Sequence, residues 1–208
     1  MENYKPKILV LFYSMYGHMF AMAKAAAEGV IEAGGESVLK QVQELVPEEK
    51  WDDGIKAAKK AMSEIPVAFP QEDLKGIDGL IVGVPTRFGN MSAQMRNFWD
   101  QTSSDWIAGT LIGKPVSVMS SSATQHGGQE TTIISTLWSL MHHGLIAVGL
   151  PYSNQEQMGI SEISGGSPYG ASTITGGMGE RMPSENELQM AKSLAKHNTE
   201  IAKKLMVK

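Results

Sequence analysis

Three short segments carry residue types suited to gripping an anion and a flat ring. The first is Ser14-Met15-Tyr16-Gly17-His18-Met19, placed between an apolar run and a helical pattern. Gly17 lets the backbone turn tightly with no Cβ to clash. The first amides of a helix have no carbonyl partners, and with the helix dipole they form a ready anion site. That chemistry is a phosphate cradle; a plain strand-to-helix turn with Ser14 as cap would use the same residues. The second segment is Pro85-Thr86-Arg87-Phe88-Gly89-Asn90-Met91. Its amides can meet the polar edge of a flat ring, with Phe88 beside it and Gly89 allowing close approach. Read alone, it is a proline-led turn capped by Asn90. The third, Ser120-Ser121-Ser122-Ala123-Thr124-Gln125-His126-Gly127-Gly128-Gln129, is small, polar and glycine-ended. It can hug a polyol chain or the far side of a ring; alone it reads as a flexible loop.

Other chemistries are excluded by what is missing. No Gly-x-Gly-x-x-Gly follows the first strand, which weighs against a dinucleotide held in the usual way. Gly109–Pro115 approaches a Walker sequence but is one residue short, with Pro115 where a magnesium-binding hydroxyl belongs. No His-Glu-x-x-His helix or Gly-x-Ser-x-Gly elbow occurs. The chain has no cysteine, which removes disulfides, thiolate metal sites and thiol nucleophiles. A single monophosphate with no metal fits best. His142-His143 is a poor metal pair, since neighbours on a helix point about 100° apart. Met91 and Met95 read as core or interface, and Trp99 as core.

The positioning elements follow from periodicity. Ile8–Tyr13 is apolar throughout, as in a strand covered on both faces. Met19, Met22, Ala23, Ala26 and Val30 have helical spacing, and Gly34-Gly35 ends that helix. Further strands are expected at Ser37–Val42, Ile77–Val84, Pro115–Met119 and Leu145–Leu150. Further helices are expected at Met91–Gln101 and Gln129–His143, with a short one near Asp53–Met62 in an otherwise irregular 44–74 connection. Residues 151–182 have little periodicity and seven glycines, and so suit an intersubunit contact. Ser184 and Glu187 form a capping box before a last helix. Strands alternating with helices predict a doubly wound α/β fold, a parallel sheet with helices on both faces. Ligands then bind beyond the carboxyl ends of the strands, where all three segments lie.

Composition agrees with a globular protein. The 208 residues are 42% hydrophobic and 19% charged, which excludes wholesale disorder. A net charge of −4 argues against a nucleic-acid binder. No apolar run approaches the ~20 residues of a membrane span. A soluble cytoplasmic protein is expected.

Together the motifs resemble those of the flavodoxin-like quinone oxidoreductases first named as tryptophan-repressor-binding proteins. The likeness rests on Ser14–His18, Pro85–Met91, Ala123–Glu130, His142-His143-Gly144 and Gly165–Ala171, in order along nearly the whole chain. Phe20 and Asp105, beside motif positions, depart from the usual pattern. The resemblance implies a flavodoxin-like five-stranded sheet of order 2-1-3-4-5, one domain over 1–208, with additions at about 44–74 and 151–182. It implies an FMN-dependent NAD(P)H dehydrogenase that reduces quinones by two electrons with NADH or NADPH, protects against semiquinone formation, and works as a homotetramer.

By position, Ser14, Met15, Tyr16, Gly17, His18 and Met19 would hold the FMN phosphate. Pro85, Thr86, Arg87, Phe88, Gly89 and Asn90 would line the ring. Ser121, Ser122, Ala123, Thr124, Gln125 and His126 would close over ribityl and ring, and His142 would touch the flavin. Tyr16 would also face the nicotinamide, and Trp106 the substrate. No side chain is expected as a catalytic group, because the flavin carries the chemistry. The alternative is a one-electron carrier of flavodoxin type, which would stabilise a one-electron-reduced flavin. Such carriers are usually small and strongly acidic, which this chain is not.

Overall fold

A computed structural model describes residues 4–206. The apolar run forms β1 (Lys7–Phe12), and α1 (His18–Glu32) follows after a five-residue turn. Next come β2 (Glu36–Gln41), α2 (Asp53–Ala61), the short α3 (Pro70–Asp73) and β3 (Gly79–Pro85). Then follow α4 (Ala93–Asp100), α5 (Ser103–Ile107), β4 (Pro115–Ser122), α6 (Gln129–Met141) and β5 (Ile146–Ala147). A sixth strand, β6 (Ser172–Ile174), and the long α7 (Glu185–Met206) complete the order. The sheet is parallel, in the order β2-β1-β3-β4-β5, and β6 pairs with β4. This is the doubly wound α/β arrangement expected, with one strand added.

Alternation along β1 divides the core. Ile8, Val10 and Phe12 point to one face, and Leu9, Leu11 and Tyr13 to the other; all are buried. The first face packs on α1 and α7 through Met22, Ala26, Ala191 and Leu194. The second packs on α4 and α6 through Met95, Phe98, Trp99 and Ile133. Two-sided burial explains why the strand sequence shows no alternation of polarity. The backbones of α1 and α7 approach closely: a Cβ on Gly29 would strike the Lys192 carbonyl.

The structure corrects four expectations. The fourth strand runs three residues beyond Met119, to Ser122. Ser120, Ser121 and Ser122 are therefore strand, not loop, and stay buried because β3 and β6 flank them. The fifth strand shrinks to Ile146–Ala147, since the chain leaves the ladder soon after Val148 donates to the Val116 carbonyl. Gly149 then lies against the Pro168 carbonyl, and Leu150 donates to it at 3.0 Å. Beyond that point β6 takes over as the neighbour of β4: Ser120, Ser121 and Ser122 face Ser172, Thr173 and Ile174. Residues 151–182 thus contribute a strand to the sheet. Finally, α6 stops at Met141, so His142 and His143 stand in the turn after it.

Candidate functional site

The carboxyl ends of β1, β3, β4 and β6 surround a cleft of about 410 Å³, within the size range of small-molecule sites. The end of β1 supplies Ser14, Met15 and Tyr16, and α1 supplies His18 and Met19. The end of β3 supplies Pro85, Thr86 and Arg87; the end of β4 supplies Ser121, Ser122 and Ala123. Among the described residues no carboxylate lines the cleft, and Arg87 is a cation in its wall. Such a lining suits an anionic guest.

The first loop is built around Gly17, the residue before α1, at φ +95°. Its amide donates to the Ser14 hydroxyl at 3.1 Å, which draws the turn closed. The helix has no side-chain cap and no acid in its first turn. Its first backbone bond runs from Ala21 to the Gly17 carbonyl, and no protein acceptor meets the His18, Met19 or Phe20 amides among the described residues. Three N–H groups at the positive end of a helix dipole are therefore available to a ligand. The Ser14 hydroxyl, which accepts from Gly17, still has its own proton to donate.

Helix α2 braces this loop from below. Asp52 caps α2 by accepting from Ile55 at 2.8 Å, and also accepts from the Tyr16 hydroxyl at 3.4 Å. The Tyr16 phenol is held above its ordinary pKa by burial and by Asp52. Lys59 donates to the Ser14 carbonyl at 3.0 Å and pairs with Glu44 at 2.6 Å. Glu44 also accepts from Tyr13, Gln94 and the Leu45 and Val46 amides. Burial alone would raise the Glu44 carboxyl, but Lys59, the Val46 amide and Gln94 override it and hold the pKa at about 2. Folding then lowers the Glu44 pKa from 4.5. The stabilisation is full above the unfolded value and is lost as pH falls through the folded one. We expect wild type to melt above a Glu44→Gln variant at neutral pH, and the gap to close between pH 4.5 and about 2. A gap that stays constant across that window would contradict the assignment.

The second and third loops are tied together. The Thr86 amide donates to the Ser121 carbonyl at 2.8 Å, and Thr132 donates to the Thr86 hydroxyl at 2.7 Å. Thr86 in turn accepts from the Gly89 amide at 3.1 Å. Arg87 and Asn90 close a tight turn by exchanging backbone bonds. Gly89, at φ +77°, packs on Thr131 and Gly128 at the start of α6. Gly89 and Asn90 shape this turn but do not line the cleft. Phe88 sits at φ +55° with its ring wholly exposed, away from the cleft. The Ser122 hydroxyl, with one proton to give, donates to the Thr124 carbonyl at 2.6 Å and lies 2.8 Å from Gln129 Oε1. Thr124 lies in an outer recess beside Ala123, and Gln125 and His126 border another at the start of α6.

His142 and Trp106 meet each other outside the cleft. The Trp106 indole N–H donates to the His142 carbonyl at 2.8 Å, and both side chains are exposed. The neighbouring His143 ring packs on Trp99 at 5.5 Å. The Thr102 hydroxyl donates to the Trp99 carbonyl at 2.6 Å, so toward His143 Nε2 it can only accept. That fixes the proton on Nε2. Burial lowers the His143 pKa, opposed by Asp105.

A fourth wall was not read from the sequence. Thr175, Gly176, Gly177, Met178 and Gly179 line the cleft opposite the first loop. His18 donates from Nε2 to the Gly179 carbonyl at 2.9 Å, and burial holds its pKa below the usual imidazole value. The imidazole is turned to this wall, which leaves the backbone amide of His18 for an anion. The sequence signal was the Thr-Gly-Gly-Met-Gly run itself, hidden because β6 before it was not recognised.

The model of the NADPH-dependent FMN reductase family matches residues 6–156. A protein named NAD(P)H dehydrogenase (quinone) from Aromatoleum aromaticum is 55% identical over 202 residues, covering 96% of this chain and 97% of its own. One of the same name from Rhizobium rhizogenes is 55% identical over 201 residues, covering 96% and 98%. Among solved structures, a flavodoxin, WrbA-like protein, from Agrobacterium tumefaciens superposes with a TM-score of 0.65. It is 22% identical, covering 96% of this chain and 99% of that one. That likeness concerns the fold.

Proposed function

The chain belongs to the NADPH-dependent FMN reductase family, and on that footing we propose that its cleft binds FMN and that it reduces quinones with NADH or NADPH. The observation that carries this reading is the uncapped start of α1, with its three unmet amides and the Ser14 hydroxyl, in a cleft without carboxylates. Those donors fit a phosphate monoester. Its relatives named NAD(P)H dehydrogenase (quinone), alike over almost their full length, supply the reaction class. FMN, when bound, supplies the hydride-transfer chemistry.

The residues do the remaining work. Ser14 and the amides of His18 and Met19 hold the phosphate. Pro85, Thr86 and Arg87 would border the ring, where the Arg87 cation would favour negative charge on it. Ser121, Ser122 and Ala123 border the polyol chain. Phe88, Trp106 and His142, exposed in one copy, complete the ring and substrate side when subunits associate as a homotetramer; Tyr16 faces the nicotinamide. We take residues 1–208 as one flavodoxin-like domain, with additions at 44–74 and 151–182. Nicotinamide and quinone use one face in turn, in ping-pong order. The quinone leaves as hydroquinone after one two-electron step, without release of a one-electron quinone radical.

The direct test is NADH and NADPH oxidation by FMN-loaded protein with and without benzoquinone. Rapid quinone-dependent oxidation is expected, with parallel reciprocal lines. Converging lines would remove the ping-pong order. FMN binding with both nucleotides left unoxidised would overturn the reductase reading in favour of a carrier.

A further inference from the structure

In an open α/β sheet ligands sit beyond the carboxyl ends of the strands, and β6 has such an end. It runs parallel to β4, with Ser172–Ile174 beside Ser120–Ser122. Its carboxyl end therefore emerges next to Ala123, at the cleft. Thr175 donates to the Ser122 carbonyl at 2.9 Å, and the chain then turns across the opening. At Gly176 the backbone has φ +81°, and a Cβ would lie 2.5 Å from the Glu180 carboxylate, so this turn requires glycine. At Gly177 a Cβ would meet nothing within 4 Å. Among the described residues, neither the Gly176 nor the Gly177 amide has a protein acceptor, although both residues line the cleft.

The loop is clasped at both ends and in the middle. The Arg181 amide donates to the Thr175 carbonyl at 2.8 Å. The Arg181 guanidinium donates to the carbonyls of Ile174 and Ile163 and to Glu187. Glu187, fully buried, also accepts from the Ile174 amide and the Thr173 hydroxyl. His18 holds Gly179 from the opposite wall. The result is a fixed loop, lining a cleft without carboxylates, with two amide donors that no protein acceptor meets among the described residues. Such donors are met by water or by a ligand.

We propose that Thr175–Gly179 is a flavin-binding element, its Gly176 and Gly177 amides donating to oxygens of the polyol-phosphate tail of FMN. Arg181 is its positioning residue. The proposal rests on the reading of the cleft as an FMN site.

The test is amide hydrogen exchange of the full chain with and without saturating FMN. It compares peptides covering residues 14–20 with peptides covering 175–182. Slowed exchange in both is expected. Slowing at 14–20 alone overturns this proposal and leaves the FMN reading intact; slowing at neither overturns both. Arg181→Met, which changes no residue lining the cleft, gives a second readout. By loss of two ordered hydrogen bonds, FMN affinity should weaken about tenfold. Protection at 175–182 in the FMN-saturated variant should fade, while that at 14–20 remains. A folded Arg181→Met protein with wild-type affinity and undiminished protection would overturn the proposal. The wild-type exchange comparison decides independently of how well the variant folds.

Discussion

Replacing Glu187 with alanine should lower the melting temperature by roughly 6–20 °C. Glu187 is fully buried and accepts five hydrogen bonds: from the Gly165, Ile174 and Ser184 amides, the Thr173 hydroxyl and the Arg181 guanidinium. Each of its two oxygens therefore serves more than one donor. Alanine leaves three amides and a cation without their acceptor. Breaking a buried pair by removing one partner costs about 3–5 kcal/mol. For a chain of this size each kcal/mol shifts the midpoint by about 2–4 °C. Thermal unfolding followed by circular dichroism reads the result. A shift of under 2 °C would mean that water enters and replaces the carboxylate. Glu187→Gln should fall between, since the amide keeps one acceptor oxygen but brings two N–H groups toward existing donors.

Gly17→Val should weaken FMN binding by about ten- to thirtyfold while leaving the sheet folded. Gly17 stands at φ +95°, a region L-residues enter at a cost of roughly 1–2 kcal/mol, and branching at Cβ adds to it. Space is not the obstacle, because the nearest atom to a Cβ there is the Ala58 methyl at 3.9 Å. The strain relaxes by rotating the 14–18 turn, which breaks the Gly17–Ser14 bond and turns the first amides of α1 off their common focus. Those amides are the proposed phosphate site, so FMN should suffer more than riboflavin, which lacks the phosphate. Flavin fluorescence titrations with both ligands measure the difference. Equal losses for the two would place the phosphate elsewhere.

The parts of the fold with long periodic signals were legible. The β1–α1 unit, β3, α4, the Ser184–Glu187 capping box and α6 up to Met141 stand where periodicity and capping placed them. What escaped was short and polar. Ser120–Ser122 looks like a loop because serine is usually found in turns, yet pairing on both sides buries it in strand. The three residues of β6 are too few to show a period, and they pair with β4 beyond the point where β5 has ended. Missing β6 concealed the loop after it, and with it one wall of the cleft. The second role of Glu187 was likewise invisible. A capping box explains two of its contacts, but the partners Gly165, Thr173 and Ile174 lie 13 to 22 residues before it in sequence and meet it only in the folded chain. The region 44–74 read as a passive connection, whereas Lys59 and Asp52 reach the first loop from it.

The clasp on β6 also imposes an order on biosynthesis. The loops after β1, β3 and β4 all precede residue 130, whereas Glu187 and the rest of α7 are made last. A domain generally folds as a unit, and synthesis supplies it from the amino terminus. The three loops made first therefore wait on the anchor of the fourth. In that interval the face of β1 carrying Ile8, Val10 and Phe12 also lacks its α7 cover. Completion of the cleft and closure of the last open core are thus a single late event, reached only after Glu187 has been added to the chain.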